Sequence, residues 1–315
     1  MKFKKPKFWD LKKPNFFSLF LLPLTIPIII NNFLLNKKPK QNFTEVKSIC
    51  VGNIYIGGTG KTPTTIKLFN ILKKLGLNTS VAKKFYKSQI DEKIILENKT
   101  KLISEKTRLK IIEKSLENKC ELLIFDDGLQ DKTISYDLKF VCFNSENLIG
   151  NGLLIPAGPL REKIESLKKY DGVFLKNDNN DNTIEFEKLI KKINKNIKIF
   201  YTNFEIKNLD QFDISQKYLI FSGIGNPENF RKTLLKNNFN IVDEIVYPDH
   251  FIYNANIINN IKNHAKKLGA KIITTEKDFV KISNLNHQDI KFLEVDLKIN
   301  DEIRLFNFIK TKIYE

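Results

Sequence analysis

The sequence is poor in the residues that build metal cages, disulfide frameworks and nucleic-acid interfaces. Its three cysteines, Cys50, Cys120 and Cys142, are isolated, and none is spaced with another Cys or His as zinc ligands are. Each lies in or beside an apolar run, which predicts reduced core residues in a cytosolic protein. Only four of the 53 basic residues are arginine (Arg108, Arg161, Arg231, Arg304). No basic stretch is interleaved with aromatics, so the formal charge of +17 does not point to RNA or DNA. No apolar run reaches the roughly 20 residues of a helical membrane span. The nearest, residues 16–30, is short, is broken by Pro23 and Pro27, and precedes no small-x-small cleavage site.

What is present is uneven. Residues 1–40 carry nine lysines and one acid, Asp10, beside that apolar run. A basic, apolar start predicts a retained helical segment lying in a membrane interface with its lysines among anionic headgroups. A single kinked span is the second reading, and a buried core helix the third.

Residues 46–63, VKSICVGNIYIGGTGKTP, read as a buried strand entering a glycine-rich turn, with Gly60-Lys61-Thr62 opening a helix. This is the build of a phosphate cradle: backbone N–H groups face the phosphates, a lysine reaches the β/γ oxygens, and a threonine hydroxyl ligates Mg²⁺. The strict G-x-x-x-x-G-K-[ST] pattern fails because Tyr55 stands at its first glycine. The predicted nucleotide-binding residues are Asn53, Tyr55, Ile56, Gly57, Gly58, Thr59, Gly60, Lys61 and Thr62. The alternative is a glycine-rich turn with a chance Lys-Thr. Ile66, Phe69, Leu72 and Leu75 then mark a helical core face ending at Gly76.

Further along, ELLIFDDGLQ (121–130) predicts a strand with Asp126 and Asp127 at its carboxyl end, where an open α/β sheet binds ligands and a P-loop protein holds Mg²⁺. Before it come a strand at 77–82, a polar stretch containing Asp91 and Glu92, a short strand near 94–103 and a helix at 105–118. After it come a strand at 139–143, the Gly/Pro-rich loop NGLLIPAGPLRE (151–162), a solvated loop at 177–182, a helix at 184–195 and a strand at 197–206. Arg161 is a planar donor suited to phosphate, with a surface ion pair to Glu162 or Glu165 as its plainer role. Strand and helix alternate again to the C-terminus, IKFLEVDL (290–297) reading as one strand. The chain thus divides into an N-terminal segment (1–40), a P-loop domain with a mostly parallel sheet and helices on both faces (41–208), and a smaller α/β domain (209–315).

These motifs together resemble the tetraacyldisaccharide 4'-kinases. Gly52-Asn53 through Pro63, Asp126-Asp127-Gly128-x-Gln130, residues 151–162, Ser222–Pro227, Pro248-Asp249-His250 and Thr274–Asp278 carry the resemblance across the whole chain. It implies ATP-dependent, Mg²⁺-assisted phosphorylation of the 4'-hydroxyl of a lipid A precursor by an enzyme peripheral to, or shallowly inserted in, the cytoplasmic face of the inner membrane; a monomer is expected. It also implies site roles. Lys61 and Arg161 would act on the phosphates, and Thr62, Asp126, Asp127 and Glu92 on the metal. Asp91 matches the aspartate of the family's G-D-E-P as base, and His250 the histidine of its P-D-H. With Asp91 assigned to the P-loop domain and His250 to the other, the pair is expected to form only on closure. The chain departs from the family at Ala82–Tyr86 (usually S-R-G-Y-G), Lys93 (usually Pro) and Asp131 (usually His). Two rivals stand beside this reading. A GTPase-like switch would need [NT]-K-x-D, whose letters Thr275–Asp278 holds in the wrong order, and a kinase of a soluble sugar or nucleoside would need no membrane docking.

Overall fold

Strands buried on both faces read as unbroken apolar runs, and the computed structural model, which describes residues 5–37, 40–176 and 181–314, assembles such runs into two sheets, the smaller parallel and the larger mostly parallel. The strands are β1 (Lys47–Gly52), β2 (Thr79–Lys84), β3 (Leu102–Glu105), β4 (Leu122–Asp126), β5 (Leu138–Phe143), β6 (Gly172–Lys176), β7 (Lys198–Ile206), β8 (Lys217–Ser222), β9 (Asn240–Val246), β10 (Lys271–Thr275), β11 (Ile290–Leu293) and β12 (Val295–Ile299). The helices are α1 (Phe16–Phe20), α2 (Ile26–Lys37), α3 (Lys61–Leu72), α4 (Ile90–Lys99), α5 (Arg108–Glu117), α6 (Asp181–Ile193), α7 (Pro227–Lys236), α8 (Ala255–Leu268), α9 (Glu276–Lys281) and α10 (Glu302–Tyr314).

The chain divides into two units. Among the described residues, the larger comprises those before Tyr86, Lys99–Asn203 and those after Asp296. Its eight-stranded sheet runs β12-β7-β6-β5-β1-β4-β2-β3. Ile49 pairs with Ile124 on one side and Leu138 on the other, in parallel register. Because β1 lies between β4 and β5, its carboxyl end is the switch point where an open parallel sheet takes its ligands. The core beneath it includes Cys50, Phe125, Leu123, Val141 and Phe143, all essentially inaccessible. Cys50 and Cys142 are buried free thiols, and burial pushes both up to about 12.

The smaller unit comprises Tyr86–Asn98 and Phe204–Asp296, with a parallel sheet ordered β11-β10-β8-β9. One cluster beside this sheet is built on Phe221, Tyr253, Ile258 and Ile261, and another on Tyr218, Ile220, Phe230 and Leu234.

The structure corrects three sequence expectations. Residues 94–99 belong to helix α4, not a strand: Asp91 and Glu92 in the first turn and Lys99 in the last complement the helix dipole, while Ile95 and Leu96 are buried. This helix begins within Tyr86–Asn98, an excursion that joins the smaller unit instead of the P-loop unit. The run 290–297 is two strands, β11 in the small sheet and β12 at the edge of the large one. The last helix therefore belongs to the larger unit, where Lys67 pairs with Glu302 and Phe308 packs on Phe140 and Phe200. The 177–182 loop lies mostly outside the described residues, and its last two residues open α6.

At the N-terminus α1 and α2 are joined through a 3₁₀ turn at Leu22–Thr25. Among the described residues no helix is long and apolar enough to cross a membrane. The segment is anchored by Trp9, 1% exposed with its indole N–H donating to the Pro156 carbonyl at 2.9 Å, and by Asn32 of α2, whose amide donates to the Arg161 carbonyl at 3.1 Å. Around these anchors Phe16, Phe17, Phe20, Leu24, Ile30, Phe33 and Leu34 are all exposed.

Candidate active site

The loop leaving β1 turns into α3 through Gly60, whose φ of +84° is open to glycine and costly for a residue with a Cβ. Asn53 ties the loop across itself, its amide donating to Thr59 Oγ1 at 3.0 Å and the Gly57 carbonyl at 3.2 Å. The loop is also braced from outside. Ile56 N–H donates to the Pro159 carbonyl, and Arg161 N–H to the Ile54 carbonyl. The Gly/Pro-rich loop of 151–162 is thus hydrogen-bonded to the cradle, which spacing alone did not reveal. Tyr55, at the missing glycine, is buried with its hydroxyl donating to Asp10 and accepting from Lys5.

The acid pair sits at the end of β4. Asp126 is buried and accepts from Thr62 Oγ1 at 3.1 Å, Thr65 Oγ1 at 3.3 Å and Lys83 Nζ at 2.7 Å. Asp127 leaves the strand with φ +60°, a left-handed conformation that Asp tolerates better than most residues, and its N–H hooks back onto the Val51 carbonyl. Gly128 follows because a Cβ there would meet the Tyr136 hydroxyl at 2.5 Å and Cys50 Sγ at 2.8 Å. The Asp127 carboxylate faces Lys61 Nζ at 3.5 Å and the Arg161 guanidinium at 3.4 Å. Arg161 also donates to Gln130 Oε1, and Gln130 in turn donates to the Asn53 carbonyl. Lys61, Thr62, Asp126, Asp127 and Arg161 therefore converge. The surface ion pair considered for Arg161 gives way to Asp127.

The donors fit a hard cation: Thr62 offers a hydroxyl and Asp126 and Asp127 offer carboxylates, the oxygen set Mg²⁺ prefers. Among the described residues no group of three or more His, Cys, Asp or Glu side chains could hold a metal. An ion here would take its remaining oxygens from phosphate and water, as Mg²⁺ commonly does.

In the smaller unit a second constellation forms. His250 follows β9 with φ +56°, its own N–H held by Asp249 Oδ1 at 3.0 Å. Its Nδ1 lies 3.1 Å from Asp91 Oδ2 and 3.2 Å from Oδ1. Burial by itself raises the Asp91 carboxyl, but the His250 hydrogen bond and the Lys277 and Lys281 ammonium groups outweigh it and hold it below the ordinary carboxylate value. Lys281 lies 3.4 Å from Asp91 and 2.8 Å from the buried Asp278, which also accepts from the Gly223 N–H and the Tyr253 hydroxyl.

With this geometry in view, the chain matches the tetraacyldisaccharide-1-P 4'-kinase family over residues 19–314. It is 47% identical to the tetraacyldisaccharide 4'-kinase of Pelagibacter ubique, over 98% of this chain and 97% of that one. The chain belongs to this family. A relative from Rickettsia canadensis, also a tetraacyldisaccharide 4'-kinase, is 34% identical over 98% of this chain and 96% of its own. The fold is shared with LpxK from Aquifex aeolicus, solved in complex with ATP, with a TM-score of 0.68 and 21% identity over 94% of this chain and 99% of that one.

One family-based expectation changes. Asp91 and His250 lie in one unit, in direct contact, so no closure is needed to pair them. Glu92, expected among the metal ligands, is ion-paired to Lys277 at 3.2 Å. The departures from the family pattern also gain partners. Lys83, in the stretch that replaces S-R-G-Y-G, is the buried partner of Asp126. Asp131, at the usual histidine, pairs with buried Arg108, whose guanidinium also donates to the Asp127 carbonyl. Sequence reasoning gave no role to Lys83, Arg108, Lys277 or Lys281. The only signal was for the last pair, a lysine repeat at i and i+4 in and after the T-T-E-K-D motif.

Proposed function

We propose that the protein transfers the γ-phosphoryl group of ATP to the 4'-hydroxyl of a tetraacyldisaccharide 1-phosphate, giving lipid IVA in lipid A biosynthesis. The observation that carries this is the convergence of Lys61, Thr62 and Arg161 on the Asp126-Asp127 pair at the switch point of a parallel sheet. Family membership supplies the acceptor.

Phosphoryl transfer asks mainly for positioning and charge neutralisation. Lys61 and Arg161, now facing Asp127, would take the β/γ oxygens. Thr62, Asp126 and Asp127 would hold Mg²⁺, which supplies charge neutralisation on the phosphates when bound. As the acceptor oxygen forms its bond to phosphorus, the bridging P–O bond breaks and its electron pair leaves with ADP. The hydroxyl proton goes to the Asp91 carboxylate, which His250 orients. A positioned base of this kind is worth roughly 10²- to 10⁴-fold.

We place the enzyme peripherally at the cytoplasmic face of the inner membrane. The exposed aromatic and aliphatic side chains of α1 and α2, with nine lysines in residues 1–40, support docking at an anionic lipid surface. That apolar face also favours a lipid acceptor over a soluble sugar.

The test is transfer of labelled γ-phosphate from ATP to purified tetraacyldisaccharide 1-phosphate in detergent micelles. Labelled product that requires both the acceptor and Mg²⁺ is expected. ATP hydrolysis without labelled lipid, or labelling only of soluble sugars, would overturn the assignment.

A further inference from the structure

His250 has one ring nitrogen facing a carboxylate and the other facing a cation. Nδ1 lies against Asp91, while Lys277 Nζ stands 3.4 Å from Nε2. Two carboxylates, on Glu92 and Asp249, also approach Nε2, but both stop at 3.8 Å, beyond hydrogen-bond distance. They instead hold the lysine, Glu92 Oε1 at 3.2 Å and Asp249 Oδ1 at 3.1 Å from Nζ. Burial pushes the Lys277 ammonium toward losing its proton, but Glu92, Asp249 and Asp91 outweigh it and raise Lys277 above the ordinary lysine value. Lysine has donors and no acceptor, so an N–H on Nε2 would point one donor at another.

We infer that Lys277 is a positioning residue of the phosphoryl-transfer reaction: it donates to His250 Nε2, fixes the proton of the imidazole on Nδ1, and so aims an N–H at Asp91. The lysine covers the one lone pair through which the ring could take a second proton. The proton removed from the acceptor hydroxyl therefore stays on the Asp91 carboxylate instead of passing through the imidazole to solvent. The other charged groups at this cluster fit the same arrangement. Lys281 approaches Asp91 Oδ2 at 3.4 Å from one turn further along the chain, and its own partner is Asp278 at 2.8 Å. The Glu92 N–H donates to Asp91 Oδ1 at 2.9 Å, which leaves the carboxylate held from the backbone, the imidazole and two ammonium groups. A second-neighbour hydrogen bond that selects a histidine tautomer is a general device where one ring nitrogen must be a donor.

The inference rests on the reading that Asp91 receives the proton, and the experiment separates the two. The full-length protein in detergent, labelled with ¹⁵N-histidine, gives imidazole ¹H–¹⁵N correlations that distinguish the tautomers, and the His250 signals are those lost in His250→Asn. The wild type should show Nδ1–H. Lys277→Met should let Nε2 take a proton, giving a doubly protonated ring with Nδ1–H still on Asp91, and lower kcat about tenfold or more, with KM for ATP and for the lipid within about twofold. Lys277→Arg still places a donor at Nε2 and should keep Nδ1–H alone with most of the turnover, and Lys277→Leu removes the donor if the Met variant does not fold. An Nε2–H or doubly protonated His250 in the wild type, or an Nε2 that stays unprotonated in Lys277→Met, would overturn the inference. Wild-type turnover by Asp91→Asn overturns the base role and the proton route with it, whereas the tautomer assignment stands or falls on the spectrum alone.

Discussion

Lys83 and Asp126 form a buried ion pair, 2.7 Å apart with side-chain exposures of 4% and 0%. At an effective dielectric constant near 20, their attraction is about 6 kcal/mol, against a desolvation cost of several kcal/mol for each ion. The pair is thus close to neutral as a whole, but removing one partner is not. Lys83→Met leaves the Asp126 carboxylate with the Thr62 and Thr65 hydroxyls still donating, so the expected loss lies at the low end of about 3–5 kcal/mol. For a unit of this size each kcal/mol shifts Tm by roughly 2–4 °C, so a fall of about 6–12 °C is expected. The one tryptophan, Trp9, is buried in the larger unit, and its fluorescence reports that unit's unfolding. The measurement belongs in nucleotide-free buffer with chelator, so that ligand binding does not restore stability. Adding Asp126→Asn removes the stranded charge and should recover at least about 1 kcal/mol relative to Lys83→Met alone. A single variant within about 1 kcal/mol of wild type, or a double variant whose losses simply add, would refute the view that Lys83 compensates Asp126.

Lys61→Ala should abolish transfer of the γ-phosphoryl group while thermal unfolding stays near wild type, and Thr62→Ala should raise the Mg²⁺ concentration needed for half-maximal rate; normal turnover in folded Lys61→Ala would remove the lysine from the mechanism. Asp91→Ala and His250→Ala should each lower kcat, and the double variant should lose little beyond the worse single one, since the residues act as a unit; multiplying losses would mean independent sites. The Asp91 carboxyl is held below its unfolded value of about 3.9, so its contribution to stability is fully present above that pH and is lost as pH falls through the folded value. The stability difference between wild type and Asp91→Asn, from urea unfolding, should accordingly shrink as the pH is lowered below about 4, and a difference that grows on acidification would contradict the assignment. Replacing Phe16, Phe20 and Phe33 by Gln should release the protein from anionic vesicles without disturbing the Trp9 anchor, whereas binding unchanged in co-sedimentation would place the docking surface elsewhere.

Sequence determined the elements whose signal is local. The glycine turn before Lys61-Thr62 must form a cradle because its backbone groups and positive φ are set within a few residues. The apolar runs of β1, β4 and β5 specify a buried parallel sheet because each strand needs apolar neighbours on both faces. Two acids at the end of β4 fall at its ligand edge for the same reason. Tertiary structure decided which distant segments meet. Asp91 lies 159 residues from His250, and the two touch because Tyr86–Asn98 leaves the larger sheet's sequence and folds with the smaller unit. The run 290–297 splits between two sheets, because an apolar strand of that length satisfies either one by periodicity and only long-range pairing selects the break at Glu294. Lys83, Lys277 and Lys281 look in the sequence like any of its many lysines. Their roles arise from which carboxylate the fold sets beside each one, and a charge that is only solvated in the unfolded chain becomes, once buried, one that must be paired.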